Sequence, residues 1–155
     1  MREIQHSALV AQPAARLFEI INDIESYPQF IPWCTHARVR SRSERELVAT
    51  LGMRRGPLRG EFTTRNELEP YRRIRMHLVD GPFKMLEGEW LLLPIAPDST
   101  RAVEGCRVQL TMKFAFKDRL TALLLERTFA ETSKSLVDAF VARARSLGNV
   151  AGANP

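Results

Sequence analysis

Side chains able to do chemistry are few in this sequence, and their spacing rarely brings them together. Glu87 and Glu89 stand two apart, the separation that would aim two carboxylates the same way along a strand, as a general acid–base pair needs. Trp90 falls on the opposite face, so the pair is expected in water, where ionised glutamate without a partner stays. His6, His36 and His77 fall in three separate predicted strands with no metal-ligand spacing. Cys34 and Cys106 form no CxxC and no His/Cys cluster, which predicts two reduced, packed thiols. There is no triad spacing and no Gly-rich phosphate loop. The expectation is a binding protein with no catalytic residue, no metal and no required cofactor. An enzyme of the cyclase type would instead need polar groups converging inside a cavity.

Charge is the second chemical signal. Lys and Arg number 23 against 18 Asp and Glu, a net charge of +5 with a pI near 9.8, which favours an anionic partner such as RNA or a membrane surface. The arginines are dispersed, and Arg54, Arg55 and Arg59 around one turn are the best candidate contact with a ribosome or membrane. An ordinary exposed hairpin tip explains them equally well. DNA is not an expected partner.

The elements that would position these groups follow from periodicity. The chain has 155 residues, 45% hydrophobic and 26% charged, enough for one core. Ile4, His6, Ala8 and Val10 alternate with polar residues as in a half-buried strand. Gln12-Pro13 opens a helix with Leu17, Phe18, Ile20 and Ile21 as its apolar stripe, and Asn22-Asp23 closes it. Residues 24–34, with two prolines and three aromatics, read as a short helix and packed turn. Strands follow around Val39, over Leu47 to Met53, Leu58 to Leu68, Ile74 to Leu78 and Phe83 to Leu93, with a polar loop from Pro94 to Gly105. In the last strand Cys106, Val108, Leu110, Met112, Phe114 and Phe116 share one face. Asp118 is placed to cap a helix running to Leu147, with Gly148 as its stop and Leu120, Leu123, Leu124, Phe129, Leu136, Phe140 and Ala144 as its stripe.

This order predicts an α+β fold in which about seven antiparallel strands curve around one long C-terminal helix, with residues 1–149 a single domain and 150–155 a frayed tail. A sheet wrapped around a helix tends to leave an apolar cavity between them, although Trp90, Phe114, Phe116 and Phe140 could equally fill a solid core. No window holds about 18 consecutive apolar residues, and the first residues lack the apolar core of a secretory signal. A cytoplasmic protein, peripheral at the inner membrane at most, is expected.

Asp23-Ile24-Glu25-Ser26-Tyr27-Pro28-Gln29-Phe30-Ile31-Pro32-Trp33-Cys34, Gly81-Pro82-Phe83-Lys84-Met85-Leu86-Glu87-Gly88-Glu89-Trp90 and the Phe-rich last strand carry a resemblance over almost the whole chain. In them the sequence resembles the coenzyme Q-binding protein and ribosome-association-toxin family of the START-like, polyketide-cyclase superfamily. Met85 departs from the polar or basic residue common there in that family. The resemblance implies a helix-grip, START-like fold that binds ubiquinone or a related polyprenyl lipid in support of respiration. It also implies a second reading, a toxin-like inhibitor of ribosome association acting on the large subunit. By position Tyr27, Phe30 and Trp33 would cover the cavity mouth, Leu86, Trp90, Met112 and Phe114 would line the sheet, and Leu124, Phe129 and Phe140 would face them from the helix. A quinone head needs a hydrogen-bond donor, for which Tyr27, Trp33 or Lys84 is the expected source.

Overall fold

A computed structural model describes residues 1–98 and 104–153, with side chains described to residue 147. Seven strands form one antiparallel sheet: β1 (Arg2–Val10), β2 (Cys34–Arg42), β3 (Glu46–Arg55), β4 (Leu58–Glu69), β5 (Arg73–Asp80), β6 (Phe83–Ile95) and β7 (Gly105–Phe116). Their order across the sheet is β1-β7-β6-β5-β4-β3-β2. The two edge strands are joined by helix α1 (Ala14–Asn22) and a 3-10 segment (Ile24–Gln29). Helix α2 (Arg119–Ala153) packs against β1, β7, β4 and α1. This is the α+β arrangement, a sheet around one long helix, that the pattern of strands and helices predicts, and the helix-grip fold that the family resemblance implies.

Alternation positions the core. The β7 residues Cys106, Val108, Leu110, Met112, Phe114 and Phe116 are all buried, while Arg107, Gln109 and Thr111 point away. Register carries the same face across the sheet, with Leu110 opposite His6 and Trp90, and Trp90 opposite Ile74. Pro13 is the extended N-cap of α1 and Ala14 its first residue, so Pro13 sits one position earlier than a first-turn proline. At the start of α2, Asp118 accepts hydrogen bonds from the Thr121 N–H and hydroxyl, both at 2.7 Å, which hold its carboxyl below its ordinary range.

Two expectations fail at the second helix. Gly148 does not stop it: the helix continues to Ala153, since an isolated glycine costs a helix only about 1 kcal/mol and no proline follows at once. Residues 150–153 of the expected tail are therefore helical, and 154–155 lie outside the described residues, as does part of the 94–105 loop. The apolar stripe is also out of phase. Leu120, Leu123 and Leu124 are exposed, while Ala122 and Leu125 pack on the core. Leu123-Leu124-Leu125 fills three successive positions and so covers most of the helix circumference; only Leu125 lies one turn from Phe129.

Candidate functional site

Between the sheet and α2 lies an enclosed cavity lined by Tyr27, Trp33, Leu86, Trp90, Met112, Phe129 and Phe140, seven of the expected residues. Its wall is completed by Ile24, Ala49, Leu51, Phe62, Met76 and Leu136, and by the polar Thr64, Asn66, Thr132 and Ser133. The free space measures about 50 Å³. Sites for drug-sized ligands run roughly 300–1,000 Å³, so a lipid would have to displace side chains to enter. Gly88 lies between Met76 and Met112: a Cβ there would come within 2.4 Å of Met76 Cε and 3.0 Å of Met112 Sδ. Both thioethers are flexible chains that repack at little cost, which makes them the soft part of the wall.

Three expected lining residues lie elsewhere. Phe114 is wholly buried in an aromatic layer, 4.7 Å from the Phe129 ring centroid and edge-on to Phe83 and Phe116, and so belongs to solid core. Phe30 stands outside the lining, against Tyr27 and Phe140, with the Arg143 guanidinium 4.9 Å above its ring. Leu124 is 61% exposed, for the phase reason given above. Lys84 is exposed and does not line the cavity, because the register shift between Phe83 and Met85 leaves it on the solvent side.

The hydrogen-bonding groups of the cavity are mostly committed. The Tyr27 hydroxyl donates to the Ile21 carbonyl, and burial pushes its ionisation far above the ordinary phenol range. Thr132 and Ser133 donate back along α2 to the carbonyls of Thr128 (2.7 Å) and Phe129 (2.9 Å). Thr64 donates to Asn66 Oδ1 at 2.8 Å. That last bond occupies the acceptor of Asn66 and leaves its N–H pair as a donor in the cavity wall. Sequence reasoning missed Asn66, and its only signal was an asparagine at an inward position of an otherwise apolar strand face. Of the three expected donors, only the indole of Trp33 remains at the wall.

Outside Trp33 a surface groove of about 400 Å³ is lined by Ile31, Pro32, Trp33, Arg54, Arg55, Ser135 and Ala139, so Trp33 is a shared wall between groove and cavity. The three arginines of the β3–β4 turn are divided. Arg54 and Arg59 are cross-strand partners on the convex face, whereas Arg55 reaches inward and donates to Thr132 Oγ1 at 3.2 Å.

Polar residues of the convex face pair among themselves. Glu89 lies 3.4 Å from Arg75 and 3.8 Å from Arg73, and Glu87 is exposed, both away from Trp90 as the alternation predicts. Each histidine meets a carboxylate: on the convex face His36 meets Glu61 at 2.7 Å and His77 meets Glu67 at 3.1 Å, while His6, on the helix side of β1, meets Asp138 of α2 at 3.5 Å. Gly52 lets His36 lie across β3, where a Cβ would fall 2.2 Å from the ring, and the contact holds Glu61 below its ordinary range. Among the described residues no three of His, Cys, Asp and Glu are placed to hold a metal ion. No described helix is long and apolar enough to cross a membrane.

A curved sheet gripping one helix around an apolar space defines the START-like, helix-grip fold. The chain belongs to the polyketide cyclase/dehydrase and lipid transport family, whose model matches residues 10–141. It is 35% identical over 147 residues to the ribosome association toxin RatA of Escherichia coli, covering 95% of this chain and 89% of that protein. It is 25% identical over 139 residues to the mitochondrial coenzyme Q-binding protein homolog B of Xenopus laevis, covering 89% of this chain and 56% of that one. A Streptomyces aromatase/cyclase shares the fold at a TM-score of 0.79 and 19% identity, over 93% of each chain.

Proposed function

We propose that this protein binds ubiquinone or a related polyprenyl quinone without transforming it, seating the head group in the cavity between β4 and α2. The observation that carries this reading is the inventory of the cavity wall. It is mostly carbon, it holds no carboxylate, imidazole, ammonium or guanidinium among its lining residues, and its hydroxyls are committed as donors. A quinone ring is apolar and carries only acceptors, so the donor pair of Asn66 suits one of its carbonyls. The one titratable group among the described lining residues, Tyr27, is held protonated by burial and spends its proton on the Ile21 carbonyl, which leaves no acid–base catalyst poised near neutral pH at this wall. Similarity to a coenzyme Q-binding protein and membership of a lipid transport family support the reading. Yielding of Met76 and Met112, together with displacement of Trp33, would join groove and cavity into a site of useful size. Trp33 and Trp90 make the test direct: a short-chain quinone should quench tryptophan fluorescence saturably at one per chain. Quenching that never saturates would overturn the reading.

Similarity to the toxin RatA favours a second reading, association with the large ribosomal subunit. Arg54 and Arg59, paired on the convex face, suit a phosphate backbone. Co-sedimentation with large subunits that weakens as salt rises, and weakens further in an Arg54→Glu/Arg59→Glu variant, is the result this reading expects. Sedimentation indifferent to both would remove it.

A further inference from the structure

The first two turns of α2 carry an apolar face that none of the described residues covers. Leu120, Leu123 and Leu124 are 66%, 82% and 61% exposed, and with Arg127 they follow i, i+3, i+4, i+7 spacing along one side of the helix. Lys117 and Arg119 precede them and Lys84 stands nearby, since the Lys117 N–H donates to the Pro82 carbonyl at 3.2 Å. These three cations have no carboxylate within ion-pair distance among the described residues. The acids of the region are engaged, with Asp118 capping α2, Glu126 meeting Arg2 at 3.6 Å and Glu131 meeting Arg127 at 3.2 Å. Exposed leucines flanked by unpaired cations are the pattern of a helix lying in the head-group region of an anionic membrane. A second copy of the chain fits poorly, because a two-fold contact through these leucines would bring Lys117 and Arg119 against their own kind.

We propose that Leu120, Leu123 and Leu124 of α2, with Lys84, Lys117 and Arg119, dock the protein on an anionic lipid bilayer. Docked this way, the aromatic layer of Phe62, Phe83 and Phe129, whose rings lie 4.8 to 6.0 Å apart, separates the bilayer from the cavity. The inference deepens the quinone-binding reading and rests on it for its purpose. Docking itself is measured on vesicles that contain no quinone, so the two can fail separately.

The experiment is co-sedimentation of the full chain with phosphatidylcholine vesicles, with and without phosphatidylglycerol. Wild type should sediment with the anionic vesicles and much less with the neutral ones. A Leu120→Gln/Leu123→Gln/Leu124→Gln variant should lose about tenfold or more in partitioning at unchanged melting temperature, because three exposed apolar contacts are removed. Equal sedimentation of the two proteins, or none by the wild type, would overturn the proposal. So would light scattering that shows a wild-type dimer made monomeric by the triple change, which would give the face to a second copy.

Discussion

Thr64 and Asn66, two apart on β4 and therefore on one face of the sheet, share a 2.8 Å hydrogen bond within the cavity wall. The bond fixes the polarity of the site by leaving an amide donor available. Asn66→Leu should cut quinone affinity about tenfold, near 1.4 kcal/mol. The same change strands the Thr64 hydroxyl and should cost about 1–3 kcal/mol of stability. Adding Thr64→Val should recover most of that stability and none of the affinity, as read by denaturant melts beside fluorescence titrations. Recovered affinity in the double variant would show that the amide is not the contact.

Gly88 predicts the opposite combination. A methyl group there presses on Met76 Cε and Met112 Sδ, the mobile ends of side chains that already bound the cavity. Gly88→Ala should cost about 1 kcal/mol or less in stability, while pushing both thioethers into the free space and lowering quinone affinity.

Phe114 and Leu124 separate core from surface. Phe114→Ala removes a fully buried ring from the Phe83, Phe116 and Phe129 layer and should cost about 3–5 kcal/mol. Leu124→Ala should change stability by about 0.5 kcal/mol or less, because that side chain stands in solvent. Thermal melts of the two variants decide whether the helix phase described above is right.

Burial pushes both the Cys34 and the Cys106 thiol up to about 11, well above the ordinary thiol range. At neutral pH the native thiolate fraction is then roughly a hundredfold below that of the unfolded chain, and iodoacetamide should label neither cysteine until the protein is denatured. The sign of the linkage follows. The folded state holds these protons more tightly, so their contribution to stability is whole below pH 9 and declines as pH rises from 9 towards 11. A urea midpoint that is insensitive to pH in that window, or prompt native labelling, would contradict the burial of these thiols.

How much of this was legible in the sequence depended on which interaction set each feature. β7 was legible because its alternation survives over the whole strand, and Asp118 because a cap is a local device. The start of α2 was not, because Leu123-Leu124-Leu125 offers more than one helical phase and only packing against the sheet chooses Leu125. Lys84 was misplaced by a register shift beside Phe83, which alternation alone cannot anticipate. Asn66, Thr64 and Phe62 were missed because strand periodicity says which residues face inward but not which of them border the space. That is set by sheet curvature and by where α2 crosses it. The division of Arg54 from Arg55 follows simply from their being adjacent on a strand.

The most direct test of the central claim is organic extraction of the purified protein followed by mass spectrometry. An isoprenoid quinone recovered near one per chain, and lost in the Thr64→Val/Asn66→Leu variant, is the result expected of a cavity that closes around its ligand. A protein that carries no quinone, and that takes up none when incubated with quinone-loaded vesicles, would contradict the claim and leave the ribosome reading to stand alone.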